Sequence, residues 1–190
     1  MRDDPILAAA LADDLPGSFE RTVRTFQDRL YAFALRLTGS APDAEEITQD
    51  AFVRAYRALQ GYPTERRRAL ALRPWLYRIT LNVTRNRFRR RRPVGESLDG
   101  DRPELAADEA GRPSAVFDRG ERSRRLERLV QALPDRYRAP VVLRHVEGLG
   151  YGEIAEVLEQ PIGTVKANVH RGLALLRRAL EAGDREEATR

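Results

Sequence analysis

Cysteine is absent from this chain, histidine occurs only at positions 145 and 170, and lysine only at 166. Without thiols there can be neither a disulfide nor a thiolate zinc site, which fits a reducing compartment. Two imidazoles 25 positions apart make a poor metal centre, so no metal or cofactor is expected. No apolar run approaches the roughly 20 residues that span a bilayer. The Met1 to Pro16 stretch carries an Asp-Asp pair on each side of Ile6 to Ala12, which is wrong for a secretory signal. These absences predict a soluble cytoplasmic protein, with residues 1–17 as an N-terminal extension.

Arginine fills the space that lysine leaves: 33 of the 34 cations are guanidinium forks, which bind phosphate and stack on rings. Genome composition alone can also produce that bias, so its distribution carries more weight than its size. Between Thr64 and Arg92 stand eleven arginines against the single acid Glu65. From Pro93 to Gly120 the balance reverses to seven acids against three arginines, with Gly and Pro scattered and little periodicity. That stretch, 93–120, reads as a flexible linker. It divides a helical block at 18–92 from a second at 121–180, and 181–190 reads as a charged tail. The fold class is all-α, two small helical domains on a tether.

Near the C-terminus, Ile154, Val157 and Leu158 recur at helical spacing around Ala155, and Pro161 and Gly163 then break the helix. A second helix is expected from about Thr164. Val165, Val169, Leu173 and Leu176 turn inward, while Lys166, Ala167, Asn168, His170 and Arg171 face out. A helix that enters the major groove needs this combination of small, amide and cationic side chains. An amphipathic hairpin with a solvated basic face would show the same spacing. Glu159 stands where many such turns carry Gly, and a non-Gly residue at positive φ is uncommon.

The first block reads as three helices. Ser18 is the expected cap of one in which Phe19, Val23, Phe26, Leu30, Phe33 and Leu37 form a core stripe that Gly39 ends. The next opens near Pro42 with Asp43, Glu45 and Glu46 in its first turn, where the helix dipole favours anions. It buries Ile47, Ala51, Ala55 and Leu59 and presents Glu46, Gln49, Asp50 and Arg54, a solvated face or a docking surface. In the third, from about Pro74 to Arg92, Arg78, Asn82, Arg85, Arg89 and Arg92 lie within roughly 40° of one line at about 100° per residue. Leu72, Leu76, Ile79 and Val83 lie on nearly the opposite side. Trp75 and Asn86 edge the cationic rail on one flank, and Tyr77, Leu81 and Phe88 on the other. Rings beside charges suit unpaired bases, each stacked base contributing about 1 to 3 kcal/mol, although the same rings could simply pack inside the domain.

Three runs taken together resemble the sigma-70 superfamily, specifically the short extracytoplasmic-function sigma factors. They are YAFALRLTGSAPDAEEITQDAFVRAYRAL at Tyr31 to Leu59, RPWLYRITLNVTRNRFRRRR at Arg73 to Arg92, and LPDRYRAPVVLRHVEGLGYGEIAEVLEQPIGTVKANVHRG at Leu133 to Gly172. The resemblance implies a promoter-recognition subunit with a sigma2-like domain at 18–92 and a sigma4-like helix-turn-helix domain at 121–180. Its partners would be core RNA polymerase, through the β′ clamp helices and the β flap, promoter DNA, and, as a further candidate, an anti-sigma protein. Asp43, Glu46, Gln49, Asp50 and Arg54 become the polymerase-docking residues. Tyr62, Trp75, Tyr77, Arg78, Asn82, Arg85, Asn86 and Arg89 become the −10 single-strand readers, with the preceding loop from about Gly61 to Arg73. Thr164, Lys166, Ala167, Asn168, His170 and Arg171 become the −35 duplex readers.

This chain departs from the family at Ala167 and Asn168, where relatives commonly have Ser and Arg, and at Gly172, which replaces a common Ala. Pro140 implies that the helix after Pro134 starts late or kinks. A stand-alone helix-turn-helix regulator is the alternative, and it would leave the arginine rail and the acidic helix idle. An enzyme using Asp43, Glu45 and Glu46 lacks any accompanying nucleophile, phosphate loop or metal set, so no catalytic residue is expected.

Overall fold

The computed structural model describes the backbone of residues 3–91 and 115–188 and the side chains of 4–90 and 124–182. The acidic stretch at 93–114, and Arg92 on the rail, lie outside these. All described elements are helical: α1 (Asp3–Asp13), α2 (Leu15–Thr38), α3 (Ala41–Gln60), α4 (Thr64–Arg68), α5 (Leu72–Arg91), α6 (Ala115–Ala132), α7 (Asp135–Val141), α8 (Tyr151–Leu158) and α9 (Ile162–Ala188). Helix α6 therefore begins inside the stretch that composition assigned to the linker.

The segment taken for an extension is a helix of the core. Leu7, Ala8, Leu11 and Ala12 of α1 are buried, leaving Ile6 out. Ser18 does not cap the following helix. Asp14 does, in extended conformation, its carboxylate accepting from Gly17 N at 3.1 Å, so α2 starts three residues before Ser18. Gly39 then ends α2 at φ 69°, a left-handed position that glycine adopts without strain. Ser40 caps α3 from the other side. Helices α2 and α3 pack together: Phe26, Leu30, Phe33 and Leu37 are buried in one cluster with Ala55 and Leu59, and Ile47 and Ala51 in a second with Ala34 and Val83.

Helix α5 is buried on more than its apolar stripe, because it is central: α1, α2 and α3 lie on one side and α8 on the other. Thr80 and Thr84 are inside, and their hydroxyls donate back to Leu76 O and Thr80 O at 2.9 Å, which satisfies them without outside partners.

In the second half the chain runs through Pro140 within α7 and then widens into a π-helical turn at Val142–Val146, where Glu147 N reaches back five residues to Val142 O at 3.0 Å. Of the two alternatives, a late start does not hold, since α7 begins at Asp135, and the irregularity comes just after Pro140 as the π-helical turn. The turn after α8 is made by Glu159 itself, at φ 55° and ψ 45°, its N–H donating to Ala155 O. Helix α9 begins at Ile162, two residues before the expected Thr164.

Gly172 has a packing reason that outweighs its poor helix propensity. A Cβ there would stand 2.6 Å from Val141 Cγ2 and 3.2 Å from Tyr137 Cβ, so α9 crosses α7 where only hydrogen fits. Gly172→Ala gains about 1 kcal/mol of propensity but overpacks a stiff, β-branched neighbour, usually at about 1 to 3 kcal/mol. A net fall of a few degrees in Tm is expected by calorimetry, and an increase would contradict the tight crossing.

Candidate nucleic-acid interface

The inward and outward sides of α9 are laid out as its spacing requires. Val165 and Val169 are fully inside and Leu176 is buried, while Thr164, Lys166, Ala167, His170 and Arg171 are exposed and Asn168 is half-exposed. The α8 start that supports it is held by Glu153, whose carboxylate accepts from Gly150 N at 2.6 Å. Tyr151 lies beneath two cations, Arg144 at 4.9 Å and Lys166 at 5.8 Å from its ring centre. The lysine is thus steadied by an aromatic face beside the groove-facing positions.

On α5, Asn82, Arg85 and Arg89 are exposed, and Arg78 and Asn86 partly so. Arg89 donates to Asn86 Oδ1 at 3.1 Å, so these two present one shared polar edge. Partial burial pushes the Arg85 guanidinium slightly down from its usual range, against the opposing charges of Glu159 and Asp135 in the second half. The rings behave differently. Trp75 is 6% exposed and sits 6.1 Å from Tyr62, which carries the Arg66 guanidinium 3.8 Å over its face. Tyr77 is sealed at 0% exposure against Phe33, 5.1 Å away and edge-on, and its hydroxyl donates to the Glu147 carboxylate. In this arrangement Tyr77 offers no surface to a base. Burial first, then Glu147, raises its phenol far above the ordinary range.

Beside Trp75 lies a groove of about 330 Å³ whose lining includes Arg66, Leu70, Pro74, Arg78, Glu156 and Val157. The last two belong to α8. The two halves meet here, at the Tyr77–Glu147 bond, and where the Arg73 side chain donates to Glu147 O and Arg138 Nη1 donates to Leu37 O at 2.8 Å. Arg138 is 2% exposed, and its charge is met by Asp135 at 3.1 Å and by Leu133 O at 2.6 Å.

The docking candidates on α3 divide. Glu46, Gln49 and Arg54 are exposed and Asp50 is partly so, with Arg54 bound to Asp50 at 3.0 Å. Val53, 47% exposed, stands among them. Asp43 is turned inward instead: it is 7% exposed and accepts from Arg87 Nε at 2.9 Å, so it joins α3 to α5 and is not presented to a partner. Arg87 also binds Glu46. Those bonds raise the Arg87 guanidinium above its ordinary range. Arg87 escaped notice in the sequence although it lies four residues beyond Val83 on the apolar line, a place where an arginine needs a carboxylate opposite. Nothing local marked the Arg73 and Tyr77 bonds to Glu147 or the Arg138 bond to Leu37 O, which join distant parts of the chain.

Two helical modules each expose a cationic and polar helix face, on α5 and on α9, the arrangement expected of a nucleic-acid-binding protein. Residues 22–94 match the family described as Sigma-70 region 2, and residues 123–176 match Sigma-70, region 4. The chain is 35% identical over 172 residues to the ECF RNA polymerase sigma factor SigE of Mycolicibacterium smegmatis, covering 90% of this chain and 65% of that protein. It is 33% identical over 171 residues to the ECF RNA polymerase sigma factor SigW of Bacillus subtilis, covering 86% and 89%. Among solved structures, CnrH in complex with the cytosolic domain of CnrY matches with TM-score 0.68 and 25% identity over 94% of this chain and 97% of that one. RpoE in complex with the anti-sigma factor NepR from Bartonella quintana shares the fold, with TM-score 0.65 and 24% identity over 86% and 96%. The chain belongs to the sigma-70 family and is an RNA polymerase sigma factor of the extracytoplasmic-function type. Among the described residues no helix is long and apolar enough to cross a membrane.

Proposed function

We propose that this chain, acting in the cytoplasm without bond chemistry of its own, directs core polymerase to promoters with −35 and −10 elements and helps to open the latter. Helix α3 docks the polymerase through Glu46, Gln49, Asp50 and Arg54 around Val53. The first turns of α9 enter the −35 major groove, where Asn168 suits adenine and Lys166 and Arg171 hold phosphate. Asn82 reads an unpaired −10 base while Arg78, Arg85 and Arg89 hold the strand. The observation that carries this reading is that one chain exposes both polar faces, on α5 and on α9, while the residues between them fill the cores.

Both elements cannot be held with the halves packed as they are. Elements about 25 base pairs apart are separated by roughly 85 Å at about 3.4 Å per pair, whereas a compact chain of this length has a radius of gyration of about 16 Å. Glu156 and Val157 also wall the groove beside Trp75. Engagement therefore requires α8 to leave α5. CnrH, which shares this fold at 25% identity, was solved in complex with the cytosolic domain of CnrY, and a protein partner that holds this chain in reserve is proposed on that likeness. Reconstituted transcription with core polymerase on a genomic promoter library should show initiation that depends on this chain, and silence on every template would refute the assignment.

A further inference from the structure

We infer that Asp4 is a positioning residue for promoter opening: from the N-terminal helix it caps the start of the −10-reading helix α5. This rests on the reading of α5 given above. A helix leaves its first N–H groups without intrahelical partners, and the residue before the helix normally supplies an acceptor. Here that residue is Ala71, which has no polar side-chain atom. In the first turn, Pro74 has no N–H, Trp75 N already donates to Ala71 O at 3.1 Å, and Arg73 N is met by Asp4 Oδ1 at 2.9 Å, from 69 positions earlier in the chain.

Two more bonds join the other end of α1 to the same region. Arg67 Nη1 donates to Leu11 O at 3.1 Å, and Arg68 pairs with Asp13. Leu7 and Leu11, each 1% exposed, anchor α1 between these ties. The braced segment, α4 through the first turn of α5, supplies Arg66, Leu70, Pro74 and Trp75 to the groove. Fixing that turn fixes the groove wall and the line along which Asn82 projects. Asp4 lies outside the residues that match region 2, 22–94.

Burial raises the Asp4 carboxyl above its usual range, the bond and charge of Arg73 opposing it and Glu153 adding to it. A raised folded value means that the carboxyl favours the fold below its unfolded pKa and loses that contribution as pH climbs through the folded one. An amide oxygen at this position would still accept from Arg73 N.

The test uses the full chain in holoenzyme on a duplex promoter and on a forked template whose −10 strand is already unpaired. Asp4→Ala should slow opening and weaken fork binding about fivefold, speed exchange of the Arg73 amide, and leave closed-complex affinity within about twofold. Asp4→Asn should behave as wild type throughout. Wild-type rates for Asp4→Ala, no rescue by Asn, or equal loss on duplex and fork with a lowered Tm would each overturn the inference. Failure of the wild-type holoenzyme to open any promoter would instead remove the functional reading on which it stands.

Discussion

Asn82→Ala is expected to slow promoter opening by about 5- to 150-fold while leaving initial duplex binding within about twofold. A side-chain amide that pairs with a base edge contributes about 1 to 3 kcal/mol, and an unpaired target base exists only after strand separation. Asn82 is exposed on α5, one turn from Arg78 and one from Asn86. Alanine there improves helix propensity and empties no core, so a folding defect does not compete as an explanation. Closed-complex affinity from gel shift at low temperature and opening from a fluorescent base within the −10 element separate the two steps. Equal losses in both would place Asn82 on the duplex, or off the DNA.

The parts legible in the sequence are those governed by period. The inward and outward sides of α3 and α9 follow largely from helical spacing, since each packs one apolar stripe against its neighbours, α2 and α5 for α3, α7 and α8 for α9. Helix α5 breaks that rule because α1, α2, α3 and α8 all contact it: Tyr77 and Leu81, placed on a flank by the wheel, are buried, with Tyr77 against Phe33 and bonded to Glu147 of the other half. The same long-range effect hid α1. Its Asp-Asp pairs look like solvated punctuation until Asp4 is seen to meet Arg73, and Asp13 to meet Arg68. Asp43 looked like a dipole-stabilised surface acid because its partner, Arg87, lies 44 residues away on another helix. Positive φ at Glu159 shows the converse, a turn geometry that holds although the residue favoured for it is missing.

Breaking the Tyr77–Glu147 bond should shift the closed form toward the open one by about 5- to 150-fold, the range expected when a buried polar group loses its partner at about 1 to 3 kcal/mol. Glu147→Ala leaves the enclosed Tyr77 hydroxyl without an acceptor as long as α8 stays down, so relief comes from opening. Tyr77→Phe keeps the ring on Phe33 but removes the donor, and the double variant should lose less than the two single effects added together. The closed state is already poised, because Arg73 is buried there with its Nε lacking any hydrogen-bond partner, a cost that solvent removes on opening. With no native cysteine, Asp28→Cys on α2 and Arg177→Cys on α9 give unique sites for a fluorescent donor and acceptor. Energy transfer should fall in Glu147→Ala, and the variant should need less polymerase for half-maximal initiation, since less of the binding energy goes into separating the halves. If the transfer distribution matches wild type, this bond does not hold the halves together, and Arg138 on Leu37 becomes the tie to remove next.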